Sequence, residues 1–366
     1  MENRKGVILN IGPVHPATHG VLRLIADLEG DTIENIKVDI GFLHRGKEKL
    51  AEMRYFSNYY PIVDKLDYVS ALQMEILFGS VVEKAAGITL PPRAVYIRMI
   101  MAEIQRIMSH LVFIGSFGMD VGNYTGFIWA FREREELMTI VESVSGGRLA
   151  PMYICNGGTF YDLPENFNQA LTPVLDDIEK KINKDYRALF NDNNIFVMRT
   201  KGVGVINKSM VIENGITGPN MRAAGIKRDL RRDEPYLAYE SMDFEIPTEE
   251  SGDSYSRFII RIKEIIESIK IIRQALKNIP TGPYKTSVPW LLKIPEKQTF
   301  VRQEVSKGEM AMYMVTNGGL TPYRLKIRSP TFFSLKMLEK ILKGSKIADI
   351  VAVVASLDPV MGEVDR

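Results

Sequence analysis

Hydrophobic positions along this chain follow two rhythms. From Gly6 to Ile40 they alternate, in VILNI, VLRLIADL and TIENIKVDI, and the EGD between the last two reads as a turn. Alternation of this kind sets one face of a strand against a core, so the segment predicts a β-hairpin or small meander. From about Leu66 the spacing changes to three and four. Ile97, Ile100, Ile104, Ile107, Met108 and Leu111 form one stripe over 96–117, ending near Gly118. Leu171, Val174, Leu175, Ile178, Ile182 and Leu189 form another, and Phe258, Ile262, Ile265, Ile269, Ile272 and Leu276 a further one before Pro280. Together with the helical signal after Leu66 these stripes predict a bundle. Residues 202–243 and 298–328 are richer in glycine and proline and predict irregular and β structure around it. No linker or repeat interrupts the pattern. The expectation is one intertwined α+β unit, with residues 1–40 as the N-terminal hairpin or meander and 41–366 as a helical-bundle core with peripheral segments.

Composition narrows the class. Of 366 residues 45% are hydrophobic and 25% charged, and no apolar run approaches the roughly 18 residues a spanning helix needs. MENRKGVILN lacks the apolar stretch of a secretory signal. Cys155 is the single cysteine, so no internal disulfide can form and a reducing, cytoplasmic setting is expected. A net charge of +2 gives no reason to expect nucleic acid. One thiol also cannot build the paired CxxC sites of iron-sulfur or nickel centres.

The chemistry-bearing candidates start with GPVHPATHG, Gly12 to Gly20, which holds His15 and His19, two of four histidines. Glycine and proline punctuate it as a loop between strands. That weakens a zinc reading, because HxxxH puts both rings on one face only when the backbone is helical. Each candidate has an ordinary role: a hydrogen-bonded turn for the loop histidines, a core-edge aromatic for Tyr68 at the start of a helix, and an Asx-turn for Asp120 just after one. FREREE, Phe131 to Glu136, reads as a solvated helix face with an Arg132–Glu136 pair.

Taken in order, however, NIGPVHPATHGVLRL, GFLHRGKEKLAE, DKLDYVSA, WAFREREELM, VSGGRLAPMY, GPNMRAAGIKRDLRRDEPY, GGLTPYRLKIRSPTF and LDPVMGEVDR resemble the hallmarks of the 49-kDa (D) subunit of complex I, in the NADH-quinone oxidoreductase family. The resemblance runs from about Asn10 to Arg366. It implies a fold like the nickel-iron hydrogenase large subunit, a helical core with an N-terminal β-hairpin and peripheral sheet. The two CxxC pairs of hydrogenases would fall near DKLDYVSA and DPVMGEVDR, and neither is present here, which removes a hydrogenase reading and leaves no metal bound by this chain. In the family the vacated site receives a quinone headgroup. The resemblance implies that His19 and Tyr68 flank the quinone carbonyl, that Asp120 interacts with the loop histidine, and that Arg45 and Lys65 lie near a 4Fe-4S cluster in a partner subunit. His15, His44 and His110 are expected to be structural.

Chemistry supports such a set. Two-electron reduction of a quinone builds negative charge on oxygen and needs donors that can surrender protons. Histidine, ordinarily titrating near pH 6.5, is an easy donor and tyrosine, near 10, a reluctant one. A carboxylate beside the histidine would orient it and favour its charged form. Two departures qualify the likeness: Lys65 stands where many relatives have arginine, and Ala150 where many have histidine. Loss of the titratable group implies a partner cluster of low potential that varies little with pH, suited to a menaquinone-type quinone. The partners implied are a small iron-sulfur (B-type) subunit, a C-type 30-kDa subunit, an I-type ferredoxin-like subunit and an H-type membrane subunit. The chain would sit peripherally on the cytoplasmic side of the cell membrane, its reaction coupled to proton translocation. The alternatives are a non-catalytic hydrogenase-like scaffold and a related complex using another membrane carrier such as a phenazine.

Overall fold

Alternation in the N-terminal segment produces an antiparallel sheet in the order β1 (Val7–Ile11), β2 (Arg23–Glu29), β3 (Thr32–Asp39). Leu24, Ala26 and Leu28 of β2 and Ile33 and Ile36 of β3 are buried on one face. They share a core with Leu338, Leu342, Ile350, Val353 and Leu357 from the far end of the chain. The structure, a computed structural model, describes residues 6–14 and 20–366. His15 and His19 therefore lie outside the described residues.

The helical stripes become α1 (Ala71–Ala86), α2 (Pro92–Asp120), α3 (Tyr124–Ser145), α4 (Phe167–Lys181) and α5 (Ser254–Asn278). α2 is the axis of the bundle and packs against α1, α3 and α5. It begins at Pro92, where proline suits a first turn whose N–H groups need no partner inside the helix. It runs past Gly118, where the sequence suggested a stop. That glycine makes room instead of ending the helix: a Cβ there would lie 2.9 Å from Cε1 of Phe190. Asp120 is thus the last helical residue, not one just after the helix. The stripe through Leu189 continues α4 as a π-helical stretch over Ile182–Asn191.

After the two-residue strands β4 (Ile154–Cys155) and β5 (Gly158–Thr159), a second three-stranded antiparallel sheet comprises β6 (Lys297–Val305), β7 (Gly308–Thr316) and β8 (Arg324–Arg328), as expected for 298–328. Residues 202–243 hold short helices, among them Lys208–Glu213, Pro219–Arg222 and Leu230–Asp233, and no strand. The whole is an α+β fold with a helical core.

Charge runs through that core. Arg98, Arg106, Arg222, Arg231, Arg257 and Arg261 are all fully buried. Arg98 meets Glu83 at 2.6 and 2.8 Å and also donates to the carbonyls of Cys155 and Gly158, tying the β4–β5 ribbon to α1 and α2. Arg222 binds Glu264 at 2.7 Å and Glu304 at 2.8 Å, while Glu103 gathers Arg106, Arg231, Ser268 and Tyr239. Buried ions survive only where paired and hydrogen-bonded, so these contacts fix how the elements meet more than they add net stability.

Candidate functional site

Tyr68 sits on the turn that leads into α1. Its neighbour Asp67 makes the turn: Oδ1 accepts from the backbone N–H of Val69 at 3.0 Å and of Ser70 at 3.2 Å. On the far side Gln105 of α2 donates to the Val69 carbonyl at 2.6 Å. Leu66 and Asp67 are fully buried, whereas Tyr68 is 48% exposed. Thus the turn anchors its own backbone through Asp67 and offers the tyrosine ring outward. The Tyr68 hydroxyl makes no hydrogen bond among the described residues, which leaves it available to a ligand.

The C-terminal segment closes against this turn. Gly362 packs so tightly on it that a Cβ would come within 2.7 Å of the Leu66 carbonyl oxygen and 2.8 Å of that of Lys65. Buried Lys47 clamps the two segments, its Nζ donating to the carbonyls of Lys65 and Gly362, each at 2.7 Å. Met361 also touches the end of the histidine loop, since a Cβ on Gly20 would meet its Cγ at 3.2 Å. The Tyr68 turn, the chain's last residues and the described end of GPVHPATHG therefore converge.

Carboxyl groups crowd the same place. Glu363 is fully buried, its Oε1 accepting from the N–H of Thr331 at 3.0 Å. Burial, reinforced by the charge of Asp67, pushes its carboxyl up to about 7. Asp67 is likewise raised by burial, with Lys307 opposing. Lys307 from the β6–β7 turn is in direct contact with Asp358, which Arg261 of α5 approaches at 3.5 Å. Partial burial, then the charges of Asp67, Asp358 and Glu363, push Tyr68 up to about 12. It stays a neutral donor at any working pH, and its phenolate would be a strong base.

The other expected residues are scattered around this centre. Asp120 ends α2, roughly 22 Å along the axis from Gln105 at 1.5 Å per residue, so the structure does not bring it against Tyr68. Its expected partner His19 lies outside the described residues. Arg45 is exposed and forms no ion pair or hydrogen bond among the described residues. Lys65 is exposed beside the turn and pairs with Asp64 at 3.0 Å. His44 donates through Nδ1 to the Asp365 carbonyl, 2.7 Å away. His110 is wholly buried on α2, 2.8 Å from Glu264. Ala150 adopts a left-handed φ of 51°. FREREE is not a solvated face throughout: Arg132 pairs with Glu133 instead of Glu136, and buried Glu133 also receives Tyr186 and Lys181.

Sequence reasoning missed Asp67, Lys307 and Glu363. The signal for Glu363 was present: a carboxylate set between the apolar PVMG and Val364 of LDPVMGEVDR. For Lys307 the sequence held none. Among the described residues no group of three or more histidine, cysteine, aspartate or glutamate side chains is placed to hold a metal ion. A cavity of about 310 Å³ between Tyr60, Cys155, Asn156 and Trp290 contains none of the expected residues.

The chain is thus a helical-core α+β fold whose C-terminal segment packs on the turn that carries a half-exposed tyrosine. Comparison with known proteins gives its family. The model of the respiratory-chain NADH dehydrogenase 49 Kd subunit family matches residues 120–293 and 286–366. The chain is 46% identical over 358 residues to the NADH-quinone oxidoreductase D subunit of Clostridium beijerinckii, covering 98% of this chain and 96% of that one. It is 41% identical to the protein of that name from Geotalea uraniireducens, with both chains covered in full, and 39% identical to the D 2 subunit of Rhizobium meliloti, over 100% of this chain and 96% of that one. This chain belongs to the 49-kDa subunit family of respiratory NADH dehydrogenases.

Proposed function

We propose that this chain forms the quinone site of a complex I-type NADH-quinone oxidoreductase and protonates the quinone as it is reduced. Electrons arrive from a 4Fe-4S cluster held by a B-type small iron-sulfur partner. His19 and Tyr68 each give one proton, balancing the two electrons taken by a menaquinone-type quinone, and Asp120 orients His19. The observation that carries this reading is Tyr68: a half-exposed phenol without a partner among the described residues, on a rigid turn where the end of the histidine loop and the C-terminus meet. Relatives named as quinone oxidoreductase subunits across nearly the full length support it.

Exposed Arg45 and Lys65 fit a face turned toward the cluster-bearing partner, where positive charge favours the reduced cluster. No helix among the described residues is long and apolar enough to cross a membrane. Contact with the bilayer on the cytoplasmic side would therefore pass through an H-type membrane subunit, with C-type and I-type subunits completing the assembly and coupling the reaction to proton translocation. A photoreactive menaquinone analogue added to the assembled complex tests the site. Labelling of the peptides holding Tyr68 and Met361–Val364, competed away by menaquinone, is expected. Labelling confined to other subunits would refute the reading.

A further inference from the structure

We infer that Asp67 and Glu363 act as a carboxyl pair holding one shared proton beside Tyr68 and returning it to the phenolate after Tyr68 has protonated the quinone. The inference rests on the reading of Tyr68 as a proton donor.

Three observations carry it. Each carboxyl spends one oxygen on backbone N–H groups, Asp67 on Val69 and Ser70, Glu363 on Thr331. The other oxygen of each, Oδ2 of Asp67 and Oε2 of Glu363, is buried without a hydrogen-bond partner among the described residues. A bare buried carboxylate oxygen is costly, and a proton on one carboxyl removes a charge and supplies a donor. Second, the two are neighbours: Leu66 and Gly362, the residues immediately before them, are in backbone contact. Third, nearby cations are largely engaged. Lys307 contacts Asp358, Arg261 also faces Asp358, and Lys47 is hydrogen-bonded to two carbonyls. Asp64, Asp365 and Asp358 add further negative charge around the turn, with Lys65, Arg328 and Arg366 at its margin. Two like charges this close cannot both stay ionised cheaply, which is how carboxyl dyads come to share one proton.

The proton count closes. The Tyr68 O–H bond breaks as its proton passes to the reduced quinone oxygen. The pair's O–H bond then breaks and re-forms the phenol, leaving both carboxyls ionised, and a proton from solvent restores the starting state. No further oxidant or reductant is needed.

The test uses the assembled complex with Glu363→Gln, Asp67→Asn and Glu363→Asp, each checked for cluster content. Infrared difference spectra across neutral pH should show a protonated-carboxylic-acid carbonyl band in the wild type that disappears in both Glu363→Gln and Asp67→Asn. For quinone reduction, Glu363→Gln should lower kcat at least fivefold at pH 8 with less loss at pH 6 and KM within twofold, and Glu363→Asp should recover much of the rate. A missing band, an unchanged rate profile, or a loss equal at every pH that Glu363→Asp does not relieve would overturn the inference. If the band behaves as expected while Tyr68→Phe leaves turnover intact, the shared proton stands and the tyrosine donor falls.

Discussion

His110 should make the folded chain sensitive to mild acid. Its Nε2 faces Glu264 at 2.8 Å, while its Nδ1 is buried with no acceptor among the described residues. A second proton would therefore place an unpaired N–H in the core, and burial pushes the imidazole down to about 4. Glu264, although burial alone would raise it, is held well below the usual carboxylate range by Arg222 and His110 and stays ionised throughout. In the unfolded chain the histidine titrates near 6.5. Between those two values the unfolded state binds a proton that the folded state refuses, so stability is full above about pH 6.5 and falls as pH drops toward 4. From pH 7 to pH 5 this single group removes about 2 kcal/mol. Urea unfolding of the full chain at both pH values, for wild type and His110→Gln, isolates the term, because glutamine can still donate to Glu264 but does not titrate. The variant should lose about 2 kcal/mol less than wild type over that interval. Equal losses would mean that His110 is already charged in the fold, refuting the argument from the bare Nδ1.

Other outcomes follow from single contacts. Arg98→Met leaves Glu83 and two carbonyls buried without their donor and should cost about 3–5 kcal/mol in denaturant unfolding; a cost under 1 kcal/mol would show that the β4–β5 ribbon is held by other means. Gly362→Ala forces a methyl against the Leu66 and Lys65 carbonyls and should lower quinone reduction in the assembled complex severalfold while helix content by circular dichroism stays unchanged; an unaffected rate would detach the C-terminal segment from the site. Lys47→Met breaks the clamp between Lys65 and Gly362, and proteolysis of the chain's last residues should quicken.

Helix placement was legible because the apolar stripes of α2, α4 and α5 have a period that nothing else produces, and the alternation of β1 to β3 was equally direct. The stop at Gly118 misled because glycine's two uses, ending a helix and admitting a ring, look alike without Phe190 in view. The charged core was illegible for a related reason. Arg98, Glu103 and Arg106 are charged positions on α2 whose burial depends in part on partners such as Arg231 and Glu304, which come from far along the chain. Arg132 was assigned the wrong glutamate because local spacing cannot register Tyr186 and Lys181 drawing Glu133 inward. Around the site, Tyr68 and the C-terminal motif were visible as likeness to a family. The burial of Asp67 and Glu363 with one bare oxygen each belongs to the packing of segments nearly 300 residues apart, from Asp67 to Glu363.

The central claim, that Tyr68 hands a proton to quinone, is met most directly by the rate of quinone reduction in the assembled complex carrying Tyr68→Phe, with assembly and cluster content matched to wild type. The change removes one hydroxyl and little volume, and a hydrogen bond to developing charge is worth roughly 1.5–3 kcal/mol. A fall of about tenfold or more is predicted. Turnover equal to wild type would contradict the assignment and move the proton chemistry away from this turn.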